Sequence, residues 1–463
     1  MSMPLETASL CPYCLRRVPA RRIFSGNDVQ LVKECPEHGR TSTVIWRGTP
    51  SMPTWRRPKT PSRPPVCFTE SKHGCPFDCG LCPDHGQHSC SALLEITQRC
   101  NLHCPVCFAD SGDTGTADPD LETIESWYRS VRHACGDHIA VQLSGGEPTV
   151  RQDLPEIIAA GRRHGFSFLQ LNTNGLRVAK DPNYARQLKE AGLATMFLQF
   201  DGTDDTIYRK LRGRDLLEIK LRAIDHAVAA RLGVVLVPTI VPRVNTQNIG
   251  DILRFGLERS PGVRGVHFQP ISYFGRFPYP PSDEDRITLP EILQAIERQS
   301  GGDMRVDHFA PPGCEHSLCS FHGNFVSLPD GRLHALTDPS SSCCCKPIVA
   351  AEGARKSTAF LTRQWAAPES ATEQKKKTGT EACGCEPAAS DLDDFLQRVK
   401  THTFAVSAMA FQDAWNVDLE RTRNCCIHVV APDGRLVPFC LYNLTSAEGK
   451  TLYRGHNRAD VAH

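Results

Sequence analysis

Three closely spaced cysteines constrain this chain more than any other feature. Cys100, Cys104 and Cys107 form a Cys-x3-Cys-x2-Cys run that follows an apolar, strand-like stretch at 92–97. A Gly-Gly-Glu-Pro loop follows at 145–148. Thiolates at such short spacing are typical ligands of a cubane iron–sulfur cluster. Because three protein ligands leave one iron open, the run predicts a cluster that also binds a small molecule.

The cysteines as a group indicate metal binding rather than disulfides. The chain has 22 cysteines in 463 residues, and most stand in groups of two or three. Such spacing is typical of metal ligands, and a chain of this length does not need disulfides to hold its core. The first residues lack the apolar segment of a secretory signal, and no apolar run is long enough to span a membrane. We therefore expect a cytoplasmic protein with no transmembrane segment.

The N-terminal segment predicts a small metal-binding knuckle. Cys11 and Cys14 form one close pair, and Cys35 and His38 form another. Two such pairs on turns are typical of a tetrahedral site for zinc or for a single iron. Cys67 is an alternative to His38 as the fourth ligand. Residues 1–65 are thus expected to hold one mononuclear zinc or iron ion and to end in a Pro- and Arg-rich linker.

Basic residues far outnumber acidic ones between residues 11 and 65. One interpretation is a solvated face that offsets the negative charge of a metal–thiolate site. The other is a docking patch for an anionic partner or a phosphate-bearing substrate. The sequence leaves both open.

A second Cys-x3-Cys-x2-Cys run consists of Cys75, Cys79 and Cys82. It has no strand before it and lies among Pro, Gly and His residues. We therefore expect residues 66–90 to bind an auxiliary cluster, with Cys90 or Cys67 as its fourth ligand. The reverse assignment of the two runs is the alternative.

Strand-like and helix-like stretches alternate through the central part of the chain. This alternation predicts a parallel sheet, and the loops after its strands should share one cavity. The alternation alone fits either a barrel or a doubly wound sheet. The expected strands are 92–97, 139–143, 167–172, 195–200, 233–240 and 265–270. Asn172, Asn174, Gln199 and Asp201 close the third and fourth strands and are candidate binding residues.

The C-terminal region, 288–463, is expected to form an α+β domain with a further cluster. Two Pro-Asp-Gly turns, at 329–331 and 432–434, predict hairpins. Cys425, Cys426 and Cys440 bracket the second hairpin and are candidate metal ligands, and buried, unligated cysteines are the alternative. Cys314, Cys319, the three cysteines at 343–345 and those at 383 and 385 are further candidates. Residues 366–390 are polar and predict a mobile insertion.

The first triplet with the Gly-Gly-Glu-Pro loop resembles the radical S-adenosylmethionine (SAM) superfamily. The resemblance implies a partial (β/α)6 TIM-like barrel at 91–287. It also implies that the open iron of the [4Fe-4S] cluster chelates the amino and carboxylate groups of SAM. An electron then cleaves SAM to a 5′-deoxyadenosyl radical. The cofactor-binding residues implied are Gly145, Gly146, Glu147, Pro148, Asn172, Asn174, Gln199 and Asp201.

The first 270 residues or so resemble, more narrowly, the tetraether lipid synthase and radical SAM methylase subfamily with auxiliary clusters. This resemblance implies one SAM-binding and one or two auxiliary [4Fe-4S] clusters, and an electron donor such as ferredoxin or flavodoxin. It implies attack on an unactivated C–H bond of a lipid-like or pterin-like substrate, with C–C bond formation or methylation. The second hairpin resembles SPASM-type auxiliary domains, which makes a peptide-modifying maturase the alternative. A non-catalytic, nucleic-acid-binding metal module is a remote one, and no nucleic-acid partner is expected.

Overall fold

The N-terminal segment folds as a small antiparallel sheet. The computed structural model describes residues 5–112, 115, 117–337, 347–368 and 391–455. Four strands pair in chain order, and the turns between them carry the two pairs of candidate metal ligands. They are β1 (Glu6–Leu10), β2 (Arg17–Ser25), β3 (Asp28–Cys35) and β4 (Gly39–Trp46). The linker that follows is partly ordered as α1 (Met52–Trp55) and β5 (Lys59–Thr60), with Trp55 buried.

The central part of the chain forms six parallel strands joined by helices, as predicted. Strand order along the sheet follows the chain. The strands are β6 (Ser91–Thr97), β7 (Ala140–Gly145), β8 (Leu169–Thr173), β9 (Thr195–Gln199), β10 (Gly233–Val237) and, after the short β11 (Thr239–Ile240), β12 (Val263–Pro270). The helices are α2 (Leu121–Cys135), α3 (Leu154–Arg163), α4 (Leu176–Lys180), α5 (Pro182–Ala191), α6 (Asp205–Arg212), α7 (Leu217–Ala229), α8 (Ile249–Glu258) and α9 (Leu289–Gln299).

Residue type determines where several of these strands and helices begin and end. Every residue of β6 is buried, which is the pattern of a strand covered on both faces. Side chains of Asp120 and Asp204 accept hydrogen bonds from the first turns of α2 and α6, and Gly213 ends α6 in a left-handed conformation. Helices pack outside the strands and bury a large apolar core, so the strand ends are left to form the site.

The C-terminal segment extends both edges of the same sheet. The hairpins expected at both Pro-Asp-Gly turns are present as antiparallel pairs. The remaining strands are β13 (Ser320–Ser327), β14 (Leu333–Ala335), β15 (Ile348–Val349), β16 (Thr403–Met409), β17 (Ile427–Val430) and β18 (Leu436–Pro438). Strand β16 lies parallel to β12 at one edge, and β17 lies parallel to β6 at the other. The region expected to form a separate domain therefore shares its sheet with the barrel strands.

Four helices complete the described chain: α10 (Ala350–Trp365), α11 (Asp391–Thr401), α12 (Leu419–Arg423) and α13 (Phe439–Asn443). Strand β15 pairs with β5 of the linker. Most of the insertion predicted at 366–390 lies outside the described residues, and so do the cysteines at 343–345, 383 and 385. Within the described ranges no helix is both long and apolar enough to cross a bilayer.

Candidate active site and metal centres

One cavity of about 550 Å³ runs through the interior of the strand array. Cys100, Cys104 and Cys107 line it where the strands end, beside the loop at 145–147. Its opposite end, which we call the floor, lies where the strands begin and includes Ala140 and Trp365. Because the carboxyl ends of barrel strands are where active sites are built, the predicted cluster residues occupy the expected place.

The two glycines let the loop after β7 pack against the cysteine-bearing loop. The Gly146 N–H donates to the Thr97 carbonyl at 2.8 Å, and the Glu147 N–H donates to the Arg99 carbonyl at 2.9 Å. A Cβ on Gly145 would lie 2.2 Å from the Thr97 oxygen, and one on Gly146 would lie 2.2 Å from the Arg99 oxygen. The close approach therefore requires glycine at both positions.

Glu147 joins two loops through its carboxylate. Its Oε1 accepts from the Thr149 hydroxyl at 2.6 Å and from the Thr173 hydroxyl at 2.7 Å. Its Oε2 accepts from the Asn174 N–H at 2.7 Å. The side chain is buried. Glu147 thus shapes the wall of the cavity, and its carboxylate is largely used by donors of the protein. Pro148 starts a short 3-10 turn behind this wall and does not line the cavity.

The residues expected at the ends of β8 and β9 reach the cavity as predicted, with one exception. Asn172, Asn174 and Gln199 line it. The Asn174 Nδ2 donates to the Asn101 Oδ1 at 2.7 Å, which links β8 to the cysteine-bearing loop. Lys220 donates to the Asn174 carbonyl at 2.6 Å and to the Gln199 Oε1 at 3.2 Å.

Asp201 is the exception, and its expected role is corrected. It is fully buried, does not line the cavity and forms a two-point ion pair with Arg212, at 2.7 and 2.8 Å. Arg212 itself lines the cavity and also lies against Cys104. An acidic residue after a strand was read as a ligand contact, but this one orients an arginine that reaches the site.

The donor set at 100–107 fits an iron–sulfur cluster. Burial, together with the nearby Glu147, Cys104 and Cys107, raises the pKa of Cys100 to about 11. A metal centre would stabilise the thiolate that such surroundings disfavour. Val106 and Phe108, the residues on either side of Cys107, both line the cavity, and Phe108 packs on Phe439 with ring centroids 5.7 Å apart.

In the N-terminal sheet, the four predicted ligands Cys11, Cys14, Cys35 and His38 come together. Their ligand atoms all lie within 4.8 Å of one another. The His38 Nδ1 is 3.6 Å from the Cys11 sulfur and 3.5 Å from the Cys35 sulfur. His38 therefore completes the set, and Cys67 is exposed and not part of it. This geometry fits one tetrahedral ion.

The second triplet is buried under the C-terminal region. The Cys79 thiol hydrogen-bonds to Cys75 and, as the main cause, lowers the pKa of Cys75 to about 7. The Cys75 sulfur lies 3.5 Å from the Thr422 hydroxyl, and the Tyr453 hydroxyl accepts from the Cys79 N–H at 3.0 Å. The pocket for this triplet is thus completed by residues more than three hundred positions away.

The remaining predicted ligands divide differently from the expectation. Cys90 does not stand beside Cys75, Cys79 and Cys82 as their fourth ligand, because its sulfur groups with those of Cys314 and Cys426. Nor do Cys425, Cys426 and Cys440 act as one set. Cys425 interacts electrostatically with Cys319, and Cys440 with both of them. Adjacent residues entering a strand point to opposite faces, so Cys425 and Cys426 join different groups.

Several cavity residues were not predicted. His267, Phe197 and Trp365 form an aromatic cluster at the floor, and the His267 Nδ1 lies 2.9 Å from the Ser407 hydroxyl. Burial lowers the pKa of His267 to about 4, which keeps the ring neutral at pH 7. Trp365 comes from α10, far along the chain, and no sequence signal ties it to β9. His267 stands in β12, where nearly every residue is buried, so no alternation marked it as a cavity residue.

Much of the basic excess in the N-terminal segment is neutralised within the protein. The Arg22 side chain is fully buried and forms ion pairs with Asp418 and Glu420. Arg56 also pairs with Glu420. Arg47 pairs with Glu291 at 3.4 Å. These pairs hold the N-terminal sheet and linker against the rest of the protein, so the three arginines form neither a solvated face nor a docking patch.

Comparison with known proteins agrees with this geometry. The model of the radical SAM superfamily matches residues 94–256, and that of the HMPTM N-terminal zinc ribbon domain matches residues 3–47. The chain is 34% identical to the 7,8-dihydro-6-hydroxymethylpterin dimethyltransferase of Methanocaldococcus jannaschii, over 95% of this chain and 94% of that one. It is 30% identical to the GTP 3′,8-cyclase of Paenarthrobacter nicotinovorans, over 62% and 82% of the two chains.

Among solved structures, SuiB of Streptococcus suis bound to the precursor peptide SuiA is similar with a TM-score of 0.39 and 14% identity, over 47% of this chain and 46% of that one. The match to the M. jannaschii protein is nearly full-length in both chains. The chain is a radical SAM enzyme and belongs to the family of that pterin dimethyltransferase, within the radical SAM superfamily.

Proposed function

We propose that this enzyme uses SAM-derived radical chemistry to methylate a pterin-like small molecule. A cluster bound by Cys100, Cys104 and Cys107 would supply the electron that cleaves SAM. The surrounding residues orient SAM: Gly145 and Gly146 line the cavity beside the cysteines, and Asn172 and Gln199 offer amide groups to the polar end of SAM.

The floor of the cavity carries this proposal. Phe197, His267 and Trp365 present flat rings at the floor, and Gln142 and Gln269 line other parts of the same cavity with amide groups. A pterin is a flat heterocycle whose edge both donates and accepts hydrogen bonds. Amide side chains do the same, and aromatic rings stack on such a face. The volume of about 550 Å³ lies in the usual range of small-molecule sites, about 300–1,000 Å³.

The relatives support the same substrate class. The M. jannaschii protein is named for a dihydropterin, and the similarity to it extends over 95% of this chain. The name also specifies a dimethyltransferase, and methylation is one of the two reactions that the sequence motifs imply. A neutral His267, hydrogen-bonded to Ser407, can orient a heterocycle without adding a charge to the cavity.

A lipid-like substrate is the second candidate. Val241, Ile271, Phe274, Phe411 and Phe439 belong to one apolar cluster and form an apolar wall of the cavity. Such a wall would accept a hydrocarbon tail. If the substrate is a lipid, as in tetraether lipid synthases, its tail would pack on this wall. If the enzyme is a peptide-modifying maturase, apolar side chains of the peptide would pack there instead.

A comparison of substrates under one set of conditions tests the proposal. Anaerobically reconstituted enzyme, SAM and a low-potential reductant are incubated with 6-hydroxymethyl-7,8-dihydropterin, with isoprenoid lipid extract or with a short cysteine-containing peptide. We expect the pterin to stimulate 5′-deoxyadenosine formation and to gain methyl groups by mass spectrometry. Stimulation by the lipid or the peptide alone would overturn the substrate class and leave the radical SAM assignment in place.

The Phe197→Ala variant sharpens the test. It should weaken pterin-dependent turnover while leaving the slow, substrate-independent cleavage of SAM intact, because Phe197 lies at the floor. The Phe360→Ala variant, at an exposed position on α10, is the matched control. Equal effects of both variants would count against binding at the floor.

A further inference from the structure

Three cysteines from distant parts of the chain meet at the floor of the cavity. Cys90 precedes β6, Cys314 lies in the loop before β13, and Cys426 precedes β17. Their three sulfur atoms all lie within 4.8 Å of one another. Cys314 and Cys426 are buried, and Cys90 is half-buried. Cys90 and Cys314 line the same cavity as Cys100, at its other end.

We propose that Cys90, Cys314 and Cys426 together bind a single thiophilic divalent ion, zinc or ferrous iron, at the floor of the cavity. This site is separate from the ribbon site and from both Cys-x3-Cys-x2-Cys triplets.

The spacing of the sulfur atoms favours one ion over a cluster. A metal–sulfur bond of about 2.3 Å in a tetrahedral site places the ligand sulfurs about 3.8 Å apart, inside the observed limit. In a cubane each cysteine binds a different iron, so the cluster body separates the sulfurs further. The sulfur atoms at Cys90, Cys314 and Cys426 meet the same 4.8 Å limit as the ligand atoms of the ribbon group.

The charges around the three thiols also favour a cation. The Glu315 carboxyl interacts electrostatically with Cys90, Cys314 and Cys426, and it lines the cavity beside Cys314. Four groups that become negative on deprotonation thus converge in a buried space. A divalent ion would stabilise the deprotonated form of all four.

The backbone around the site is already fixed. The Cys90 N–H donates to the Cys426 carbonyl at 2.8 Å, and the Gln87 side chain donates to the Cys314 carbonyl at 2.8 Å. Three ligands are thereby held in place before any ion binds, which lowers the ordering cost of binding. An ion here would join the first strand of the barrel, the loop before β13 and the strand added at the sheet edge.

Three protein thiolates leave a fourth position for Glu315, for water or for a substrate atom. This is the ligand count of zinc sites that keep an open position. Because Glu315 and Cys314 border the cavity, the fourth position faces the space in which the substrate would bind. The ion would therefore anchor a ligand from the side opposite to SAM.

Metal and sulfide analysis of the full-length, anaerobically reconstituted protein tests the site. The Cys314→Ser and Cys426→Ser variants should each lose about one equivalent of zinc or iron while their acid-labile sulfide stays at the wild-type level, since a mononuclear thiolate site holds no sulfide. The matched control is Cys135→Ser, a half-buried cysteine on α2 outside the three-sulfur group. It should keep all of its metal.

Loss of several irons together with sulfide would show a cluster instead, and unchanged metal content would show three unligated thiols. Either result overturns the proposal. Native mass spectrometry of the wild-type protein adds a measurement that does not depend on how the variants fold. We expect two metal ions beyond those in the iron–sulfur clusters. One would be bound by the ribbon and the other by Cys90, Cys314 and Cys426. A single such ion, lost in Cys11→Ser, would also overturn it.

Discussion

The Glu147 carboxylate accepts a hydrogen bond from the Asn174 backbone N–H at 2.7 Å, and this bond ties the loop after β7 to the end of β8. The other carboxylate oxygen accepts from Thr149 and Thr173, so the groups around it are all donors. Only a side chain that accepts at both oxygens satisfies them. The same loop also packs on the cysteine-bearing segment. Glu147 thus couples the SAM side of the cavity to the predicted cluster.

Replacement of Glu147 by glutamine should destabilise this region. The amide NH2 would face donors, and leaving a buried donor unpaired costs about 1–3 kcal/mol. We expect a lower melting temperature and weaker SAM binding by equilibrium dialysis. Glu190→Gln, at an exposed position on α5, is the control and should match the wild type. Wild-type SAM affinity in Glu147→Gln would contradict the coupling.

Substitution of Gly146 by alanine should displace the cysteine-bearing loop. The added Cβ would lie 2.2 Å from the Arg99 carbonyl oxygen, so the backbone must move. We expect loss of most 5′-deoxyadenosine formation, measured by chromatography after anaerobic reconstitution. Gly112→Ala is a control in the same region, because its Cβ would meet only His103 at 3.9 Å. If both variants retain activity, the close approach of the two loops is not needed.

The alternation of strands and helices was readable from the sequence because each buried strand is a short apolar run. The hairpins at both Pro-Asp-Gly turns were equally local. By contrast, the position of β16 and β17 at the two edges of the sheet depends on contacts between distant segments. Local periodicity carries no information about which edge a strand joins.

In the candidate site, too, local motifs were predictable and contacts between distant segments were not. Motif spacing brought Cys100, Cys104 and Cys107 together correctly beside the glycine loop. It failed for Cys90 and Cys426, whose shared group with Cys314 arises only when β17 pairs with β6. It also misjudged Asp201, because the arginine that neutralises it stands on the following helix.

The ion pair between Asp201 and Arg212 should contribute much more than its exposed counterpart on the same helix. Arg212→Met leaves the buried Asp201 carboxylate without its ionic partner, and breaking such a pair costs about 3–5 kcal/mol. Arg209→Met removes an exposed pair with Asp215, worth less than about 1 kcal/mol. Thermal unfolding of both variants measures the difference. Similar melting temperatures would show that the buried pair is not a stabilising contact.

The two cysteine triplets should separate by function when each is replaced by alanine. Removing Cys100, Cys104 and Cys107 should abolish 5′-deoxyadenosine formation, because these residues line the cavity beside the glycine loop. Removing Cys75, Cys79 and Cys82 should take away a similar amount of iron and sulfide but leave SAM binding intact, since this triplet lies outside the cavity lining.

Iron and sulfide content, SAM dialysis and product formation are measured on both triple variants. We expect the Cys75 variant to bind SAM and to fail in turnover with substrate, because cysteine-ligated clusters outside the site act in electron transfer or in structure. The reverse pattern, with SAM binding lost in the Cys75 variant and kept in the Cys100 variant, would exchange the two assignments. Full iron content in the Cys75 variant would show that Cys75, Cys79 and Cys82 bind no cluster.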